Sequence, residues 1–298
     1  MFKNVVVGID GKEGGRDAIA LARVLCDTDG EITLAHVYRG DPPAPRVSWP
    51  PLDTADDERI REMLEKARAE AGVNAEIAWD RSPSVGYGLH EQAKAIAADL
   101  LVVGSSRRGM LGHALIGDDT RATLNGAPCA VAVAPAGYSP NQGIMREVGV
   151  GYDASPESEH ALGVARKLAA EQHTKLSAFE VVALPTYVYL GARGLLAAES
   201  IRQPLDSARE RLGALEGVEP HFSYGQPAEE LALYSASLDV LVIGSRSLGP
   251  VGRFVHGSVA QRLARSARCP LLVLNRAARE ADGAGAHDEE SARAGAER

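Results

Sequence analysis

Short apolar runs alternate along this chain with longer stretches whose apolar residues recur every three or four positions. Asn4–Ile9 opens the pattern as a β-branched run, the mark of a strand buried on both faces. Residues 14–27 follow, with Ala18, Leu21, Ala22 and Leu25 at helical spacing. The alternation goes on to predict strands at Glu31–Tyr38, Val73–Trp79, Leu100–Gly104 and Cys129–Ala134, and helices at Ala55–Ala71, Gly88–Ala98 and Asp118–Gly126. It then starts again. Strands are expected at Glu147–Tyr152, Lys175–Val181, Glu219–Tyr224, Val240–Gly244 and Pro270–Asn275. Helices are expected at Glu157–Gln172, Ala197–Leu215, Ala228–Ala236 and Ser258–Ser266.

The restart is a repeat of residues as well as of pattern. Val7-Gly8-Ile9-Asp10 matches Val150-Gly151-Tyr152-Asp153 at an offset of 143. Asp99-Leu-Leu-Val-Val-Gly104-Ser105 matches Asp239-Val-Leu-Val-Ile-Gly244-Ser245 at an offset of 140. The chain therefore reads as a tandem duplication, with copy one over residues 1–142 and copy two over residues 146–276. Residues 137–143 form a turn-rich linker. Residues 277–298 carry no aliphatic side chain larger than alanine and read as a disordered tail. Strands alternating with helices imply parallel pairing through right-handed crossovers. The fold class is α/β: two tandem, doubly wound, five-stranded parallel sheets of Rossmann-like type.

Composition narrows the function classes. Of 298 residues, 45% are apolar and 24% charged, which suits a globular chain. The net charge of -8 disfavours a nucleic-acid partner. No apolar run approaches the roughly 18 residues of a membrane span, and no signal-peptide core is apparent, so a cytoplasmic protein is expected. The three cysteines are too far apart to suggest a disulfide or zinc framework.

In doubly wound sheets ligands sit outside the carboxyl ends of the strands, where the strand order reverses. Those ends carry Asp10 and Gly104 in copy one, and Asp153 and Gly244 in copy two. A glycine directly after a strand lets a ligand approach the backbone. Gly257-Ser258 precedes the helical pattern Val259, Leu263, Ala264, so Ser258 is a candidate N-cap. A helix start offers free N–H groups and partial positive charge to phosphate. Arg246, Arg253 and His256 add cations nearby, and Asp153 can accept hydrogen bonds from a ribose or an adenine amine. Carboxylate, glycine turn and helix start make a nucleotide-shaped set. Each part also has a structural explanation, since glycine turns follow many strands and aspartate often caps the next helix. Two other nucleotide motifs fail: Met110-Leu111 stands where a P-loop needs Lys-[Ser/Thr], and G-x-G-x-x-G is absent after either first strand.

These residues resemble the universal stress protein family. Its nucleotide-binding members carry Gly-x-Asp on the first strand and G-x2-G-x9-G-[S/T] after the fourth. Here copy two reads Gly244-x2-Ser247-x9-Gly257-Ser258, and copy one reads Gly104-x2-Arg107-x9-Gly117-Asp118. The resemblance spans about residues 3–276 in tandem arrangement. It implies an adenine nucleotide as ligand, ATP first, with AMP, ADP and an accompanying Mg²⁺ left open. In copy two it implies that Asp153 contacts the adenosine and that Val181 holds adenine through its backbone. Gly244, Arg246 and Ser247 line the ribose and phosphates, and Gly257, Ser258 and Val259 bind phosphate at the helix start. In copy one the matching residues are Asp10, Val37, Gly104, Ser106, Arg107, Gly117, Asp118 and Asp119. Two carboxylates at that helix start would repel phosphate, so copy two is expected to bind better. The family pairs through its fifth strand; the two copies are expected to pair within the chain, with a homodimer and an unknown protein partner left open. The implied function is a nucleotide-dependent switch in a stress response. A non-nucleotide interaction module with degenerate sites is the first alternative. A slow ATPase is the second, although no Walker lysine, base or carboxylate cluster supports it.

The remaining chemistry reads as structure. None of the eight histidines forms an H-x3-H or H-E-x-x-H pair, so no metal is expected. His36, near a strand end, is expected to bond locally. Cys129 and Cys269 occupy matching positions and read as small core residues. Arg262, Arg265 and Arg268 read as a solvated helix face. Residues 40–51 and 184–194 follow the second strands as loops that could serve as lids.

Overall fold

A computed structural model describes residues 1–40, 54–105, 118–141, 143–183, 195–245 and 258–275. The tail at 277–298 and the loop segments 41–53 and 184–194 lie outside the described residues. Copy one contains β1 (Phe2–Gly8), α1 (Glu13–Leu25), β2 (Cys26–Arg39), α2 (Thr54–Ala71), β3 (Glu76–Ser82), α3 (Val85–Ala95), β4 (Leu100–Gly104), α4 (Asp118–Leu124) and β5 (Ala130–Ala134). Copy two contains β6 (Glu147–Gly151), α5 (Pro156–Glu171), β7 (Lys175–Ala183), α6 (Leu195–Gly213), β8 (Glu219–Gly225), α7 (Pro227–Tyr234), β9 (Val240–Gly244), α8 (Ser258–Ser266) and β10 (Leu271–Leu274). Among the described residues no helix is long and apolar enough to cross a membrane.

The sheet order is β3-β2-β1-β4-β5-β10-β9-β6-β7-β8. Each copy forms the expected five-stranded parallel sheet. The two sheets are then joined edge to edge, because β5 and β10 pair antiparallel with Ala132 opposite Leu272 at the centre. The joint also has polar fastenings. The Asn275 amide donates to the carbonyls of Ala127 and Cys129, both at 2.7 Å, and Gln261 donates to Asn125 at 2.9 Å. Helices cover both faces. Val5, Val7, Leu100 and Val102 face α1 and α2, whereas Val6, Leu101 and Val103 face α3 and α4. Both faces of these strands are dry, which is why the runs are continuously apolar rather than alternating.

The repeated Asp99 and Asp239 have matching structural duties. Asp99 accepts from the N–H groups of Lys3 and Asn4, and Asp239 from those of Arg146 and Glu147. Each carboxylate ties the start of its copy's first strand to the start of its fourth.

Three elements differ from expectation by three residues or more, one of them α3, expected at Gly88–Ala98 and found at Val85–Ala95. The predicted strand Val73–Trp79 is displaced to Glu76–Ser82 because Val73 belongs to the end of α2. Gly72 adopts φ +60°, its N–H donates to Ala69 at 3.2 Å, and the Val73 N–H donates to Arg68 at 3.4 Å. This is a Schellman stop, in which the residue after the glycine turns its apolar side chain back to the core. The second strand starts five residues early, at Cys26, through an irregular register against β1. The polar run Asp27-Thr-Asp-Gly30 lies within this strand, and the helix expected over residues 14–27 ends at Leu25.

The same stop ends α3 and α5 without glycine. Ala97 has φ 50° and His173 φ 52°, and each N–H and the one after it donates back to the preceding turn. An L-residue pays about 1–2 kcal/mol in this region, partly offset by the greater unfolded-state entropy of glycine. Ala97→Gly and His173→Gly are expected to stabilise the fold by about 0.5–1 kcal/mol each. Thermal melting checks this, and a lowered midpoint contradicts it.

Candidate functional site

At the carboxyl edge of each copy the second strand outruns the first. The last ladder bonds are Ile9 N–H to Ala35 at 2.8 Å and Tyr152 N–H to Phe179 at 3.0 Å, and β2 and β7 continue beyond them through Val37 and Val181. The fourth strand lies on the other side, with Val7 opposite Val102 and Gly151 opposite Ile243. Asp10 with Gly104, and Asp153 with Gly244, thus stand at adjoining strand ends where the order reverses. This is the crevice that doubly wound sheets use for ligands.

Both aspartates do structural work there. Asp10 Oδ1 accepts from the Lys12 N–H at 3.0 Å, and Asp153 Oδ1 accepts from the Ser155 N–H at 3.1 Å. The intervening residue is left-handed in each copy, Gly11 at φ 73° and Ala154 at φ 58°. These Asx turns launch α1 and α5. The α5 start is further capped by Ser155 Oγ, which accepts from the Ser158 N–H at 3.2 Å; Lys12 gives α1 no side-chain cap.

The glycine after the fourth strand makes room for a helix rather than for the ligand expected there. A Cβ on Gly104 would stand 2.2 Å from the carbonyl oxygen of Gly14, and one on Gly244 would stand 2.3 Å from that of Glu157. The space is filled by the first turn of α1 or α5, not left open for a ligand. Both glycines are demanded by helix-on-sheet packing.

Copy one encloses a cleft of about 1160 Å³. Val37, Val85, Leu89 and Val103 form an apolar side, and Asp10, Asp17 and Ser105 are among its polar lining. His36 Nδ1 donates to the Ile9 carbonyl at 2.6 Å, the local bond expected of it. Thr120 donates to the Gly104 carbonyl at 3.1 Å and so docks the first turn of α4 beside the crevice. Asp119 is ion-paired with Arg39 at 2.7 Å, a bridge from α4 to the end of β2. Asp17, buried on α1, accepts from the N–H groups of Gly137 at 2.8 Å and Ser139 at 2.7 Å. The inter-copy linker is therefore a wall of this cleft. Sequence reading missed Asp17 and the Arg39–Asp119 bridge. Only Asp17 left a signal, as a carboxylate beside Ala18 and Leu21 on a helix face that should be apolar.

Copy two differs around its crevice. Glu180 holds in β7 the register position of His36 in β2, is buried, and is ion-paired with Arg211 of α6. The Tyr152 hydroxyl donates to Glu159, and its pKa is pushed up to about 12 by burial first and then by that carboxylate. Of the expected site residues, Asp10, Val37, Gly104, Asp153, Val181 and Gly244 are brought to the crevices. Ser258 and Val259 open α8, and Asp118 and Asp119 open α4. Ser106, Arg107, Gly117, Arg246, Ser247 and Gly257 lie outside the described residues, as do Arg253 and His256. Cys129 and Cys269 are buried, with thiol pKa values pushed up to about 12 by burial, as inert core residues should be. Arg262, Arg265 and Arg268 are exposed, but only the first two lie on a helix face, because α8 ends at Ser266. Among the described residues no cluster of His, Cys, Asp and Glu suits a metal ion.

His90 supports the α3–α4 side of the copy-one cleft. Its Nε2 donates to the Thr123 carbonyl at 2.7 Å. Burial lowers its pKa below the ordinary 6.5, and the Thr123 bond opposes that shift. A histidine depressed in the fold gives its full stability above pH 6.5, where the unfolded ring is also neutral. That stability is lost as pH falls below 6.5 through the folded pKa, because the unfolded ring charges first. His90→Gln, which keeps a donor for Thr123, should flatten the stability profile between pH 6.5 and about 5. Denaturant midpoints across that range check this; parallel profiles contradict it.

The model of the universal stress protein family matches residues 1–135 and 145–275. A universal stress protein of Mycobacterium tuberculosis is 27% identical, over 90% of this chain and 96% of its own length. A second from the same organism is 24% identical over 91% and 99%. The crystal structure of a universal stress protein from Archaeoglobus fulgidus covers 92% of this chain and 98% of its own, at 20% identity and a TM-score of 0.60. One from Pseudomonas aeruginosa covers 92% and 93%, at 15% identity and the same TM-score of 0.60.

Proposed function

Because the chain belongs to the universal stress protein family through both copies, we propose that it binds an adenine nucleotide, ATP before ADP or AMP, in the crevice of copy two. In this reading it acts in the cytoplasm as a nucleotide-dependent switch in stress response rather than as an enzyme, with ligand occupancy altering how it docks a protein partner. The observation that carries the reading is the convergence of Asp153, Val181 and Gly244 on one reversal point of the sheet, on the copy whose facing helix opens with Ser258. Asp153 takes the adenosine part and Val181 the adenine edge. Arg246 and Ser247 take the ribose and phosphates beside the backbone of Gly244, whose missing Cβ serves α5, and Gly257, Ser258 and Val259 receive phosphate at the start of α8. Any Mg²⁺ would arrive with the nucleotide. The domains are residues 1–142 and 146–276.

Copy one carries the corresponding set at Asp10, Val37, Gly104, Ser106, Arg107 and Gly117, but its helix opens with Asp118-Asp119. Like charges about 4 Å apart cost on the order of 1–4 kcal/mol near a protein surface, and each 1.4 kcal/mol is tenfold in affinity. Copy two is therefore the nucleotide site. Gly257→Arg should abolish most ATP binding in isothermal titration, whereas Gly117→Arg should change it by less than about twofold. Equal losses contradict the preference, and two variants that bind like the parent contradict the site.

A further inference from the structure

Ala132 and Leu272 face each other across the seam, and each is the other's repeat partner at the offset of 140. An approximate two-fold axis relating the copies therefore passes between them. Asn125 and Gln261 meet beside that axis at 2.9 Å. Their repeat partners are Arg265 and Arg121. The axis thus sets Arg121 of α4 toward Arg265 of α8, where a second amide pair would have stood. Arg262 is three residues from Arg265 on the same helix, a spacing at which like charges repel. Arg268 follows just beyond the helix end. All four are exposed, and among the described residues the one partner their side chains have is Gln226, which accepts from Arg262 at 3.4 Å. The helix dipoles favour Arg121 and Arg265 in the last turns, but not Arg262, nor the meeting of the first two.

The sequence around this face is one-sided in charge. Residues 240–275 hold five arginines and no carboxylate, in a chain whose net charge is -8. Residues 106–117 and 246–257, which lead into α4 and α8, carry four arginines and no carboxylate, so neither segment can neutralise the face. Asp119, two residues before Arg121, is already paired with Arg39 at 2.7 Å. The opposite charge comes a short way along the chain. Residues 280–290 hold five carboxylates, Glu280, Asp282, Asp288, Glu289 and Glu290, with no lysine or arginine. The chain leaves β10 at Asn275, whose amide is bonded to the carbonyls of Ala127 and Cys129 just past α4. The five acids lie 5 to 15 residues beyond Asn275. A flexible chain of that length spans roughly 12–22 Å, and α8, at 9 residues, is about 14 Å long. A short tether holds the acids at an effective concentration of about millimolar, so that pairs weak one by one can act together.

We propose that residues 280–290 dock on the arginine face that α8 and α4 form at the junction of the copies. Such pairs are exchangeable and ask for no helix or strand in the docked segment. A consequence rests on reading α8 as the phosphate-binding helix: the docked carboxylates share one cationic segment with the nucleotide and oppose its phosphates.

The test uses the full chain with Cys26→Ser and a nitroxide label on Ser291→Cys; Cys129 and Cys269 are buried and inert. At low salt the label should broaden the amide signals of Arg121, Arg262 and Arg265 at least about threefold more than those of Glu62 and Glu65 on α2, which covers the other face of the sheet. Raising the salt to about 0.5 M should remove most of that difference. Arg262→Glu, Arg265→Glu and Arg268→Glu together should do the same. Adding Asp288→Lys, Glu289→Lys and Glu290→Lys should bring most of it back, because the attraction depends on opposite signs and not on which side carries which. Should the glutamate variant fold poorly, the salt titration on the native face decides. Equal broadening of the two regions at low salt, a preference that neither salt nor the glutamates remove, or a reversed tail that restores nothing overturns the proposal. For the consequence, Asp288→Asn with Glu289→Gln and Glu290→Gln should tighten ATP binding about threefold in titration calorimetry. If the label finds the face while ATP affinity is unchanged, the docking stands and its opposition to nucleotide falls. If the parent binds no ATP, the nucleotide reading and this consequence fall together, and the label alone decides the docking.

Discussion

Gly104→Ala and Gly244→Ala should each destabilise the fold by about 3 kcal/mol, at the upper end of ordinary overpacking costs. The added methyl would stand 2.2 Å from the Gly14 carbonyl oxygen in one case and 2.3 Å from that of Glu157 in the other. Neither obstacle is a flexible side-chain tip. Each is the first turn of a helix whose buried residues, such as Leu21 and Leu25 of α1 or Leu162 and Leu168 of α5, fix its position on the sheet. The helix must slide or tilt to admit the methyl, and the core beneath it then loses contact. Denaturant unfolding at constant m-value measures the loss. Stability within about 0.5 kcal/mol of the parent would mean that these helices do not press on the strand ends as described.

Leu272→Ala should cost about 3 kcal/mol, within the usual 2–5 kcal/mol for truncating a buried leucine. Leu272 is fully buried on β10, and its antiparallel partner on β5 is Ala132, whose side chain is too small to fill the space. The form of the transition is as informative as its size. Because β5 and β10 make one continuous ten-stranded sheet, the variant should lower a single transition shared by both copies. Two separated transitions, of which only the copy-two one moves, would contradict that continuity.

The element order and the reversal points were legible because these strands are buried on both faces, and their unbroken apolar runs stand out against amphipathic helices. The duplication helped, since Asp10 and Asp153, and Gly104 and Gly244, mark the same places twice. What the pattern concealed depends on contacts between distant segments. The family resemblance implied that the fifth strands pair within the chain, as they do, but nothing local to either run sets the antiparallel direction of the seam at Ala132 and Leu272. Gly104 and Gly244 signalled close approach, but only the fold shows that a helix makes the approach. Val73 looked like the first residue of a strand, whereas the left-handed Gly72 before it makes it the stop of α2. Asp17 was visible as an acid on an apolar stripe, yet its partners Gly137 and Ser139 lie 120 and 122 residues on. The Asx turns at Asp10 and Asp153 lie within three residues of sequence, but the sequence pattern pointed only to a strand-end aspartate that binds a ligand or caps the next helix.

In the proposed site the start of α8 meets phosphate while Asp153 holds the sugar or base across the sheet's reversal point. Crystals of the full chain grown in excess ATP test this directly. Nucleotide density running from Asp153 past Gly244 to the Ser258 end of α8 is the predicted result. Density confined to copy one, or a copy-two crevice filled by the protein's own side chains, would contradict it.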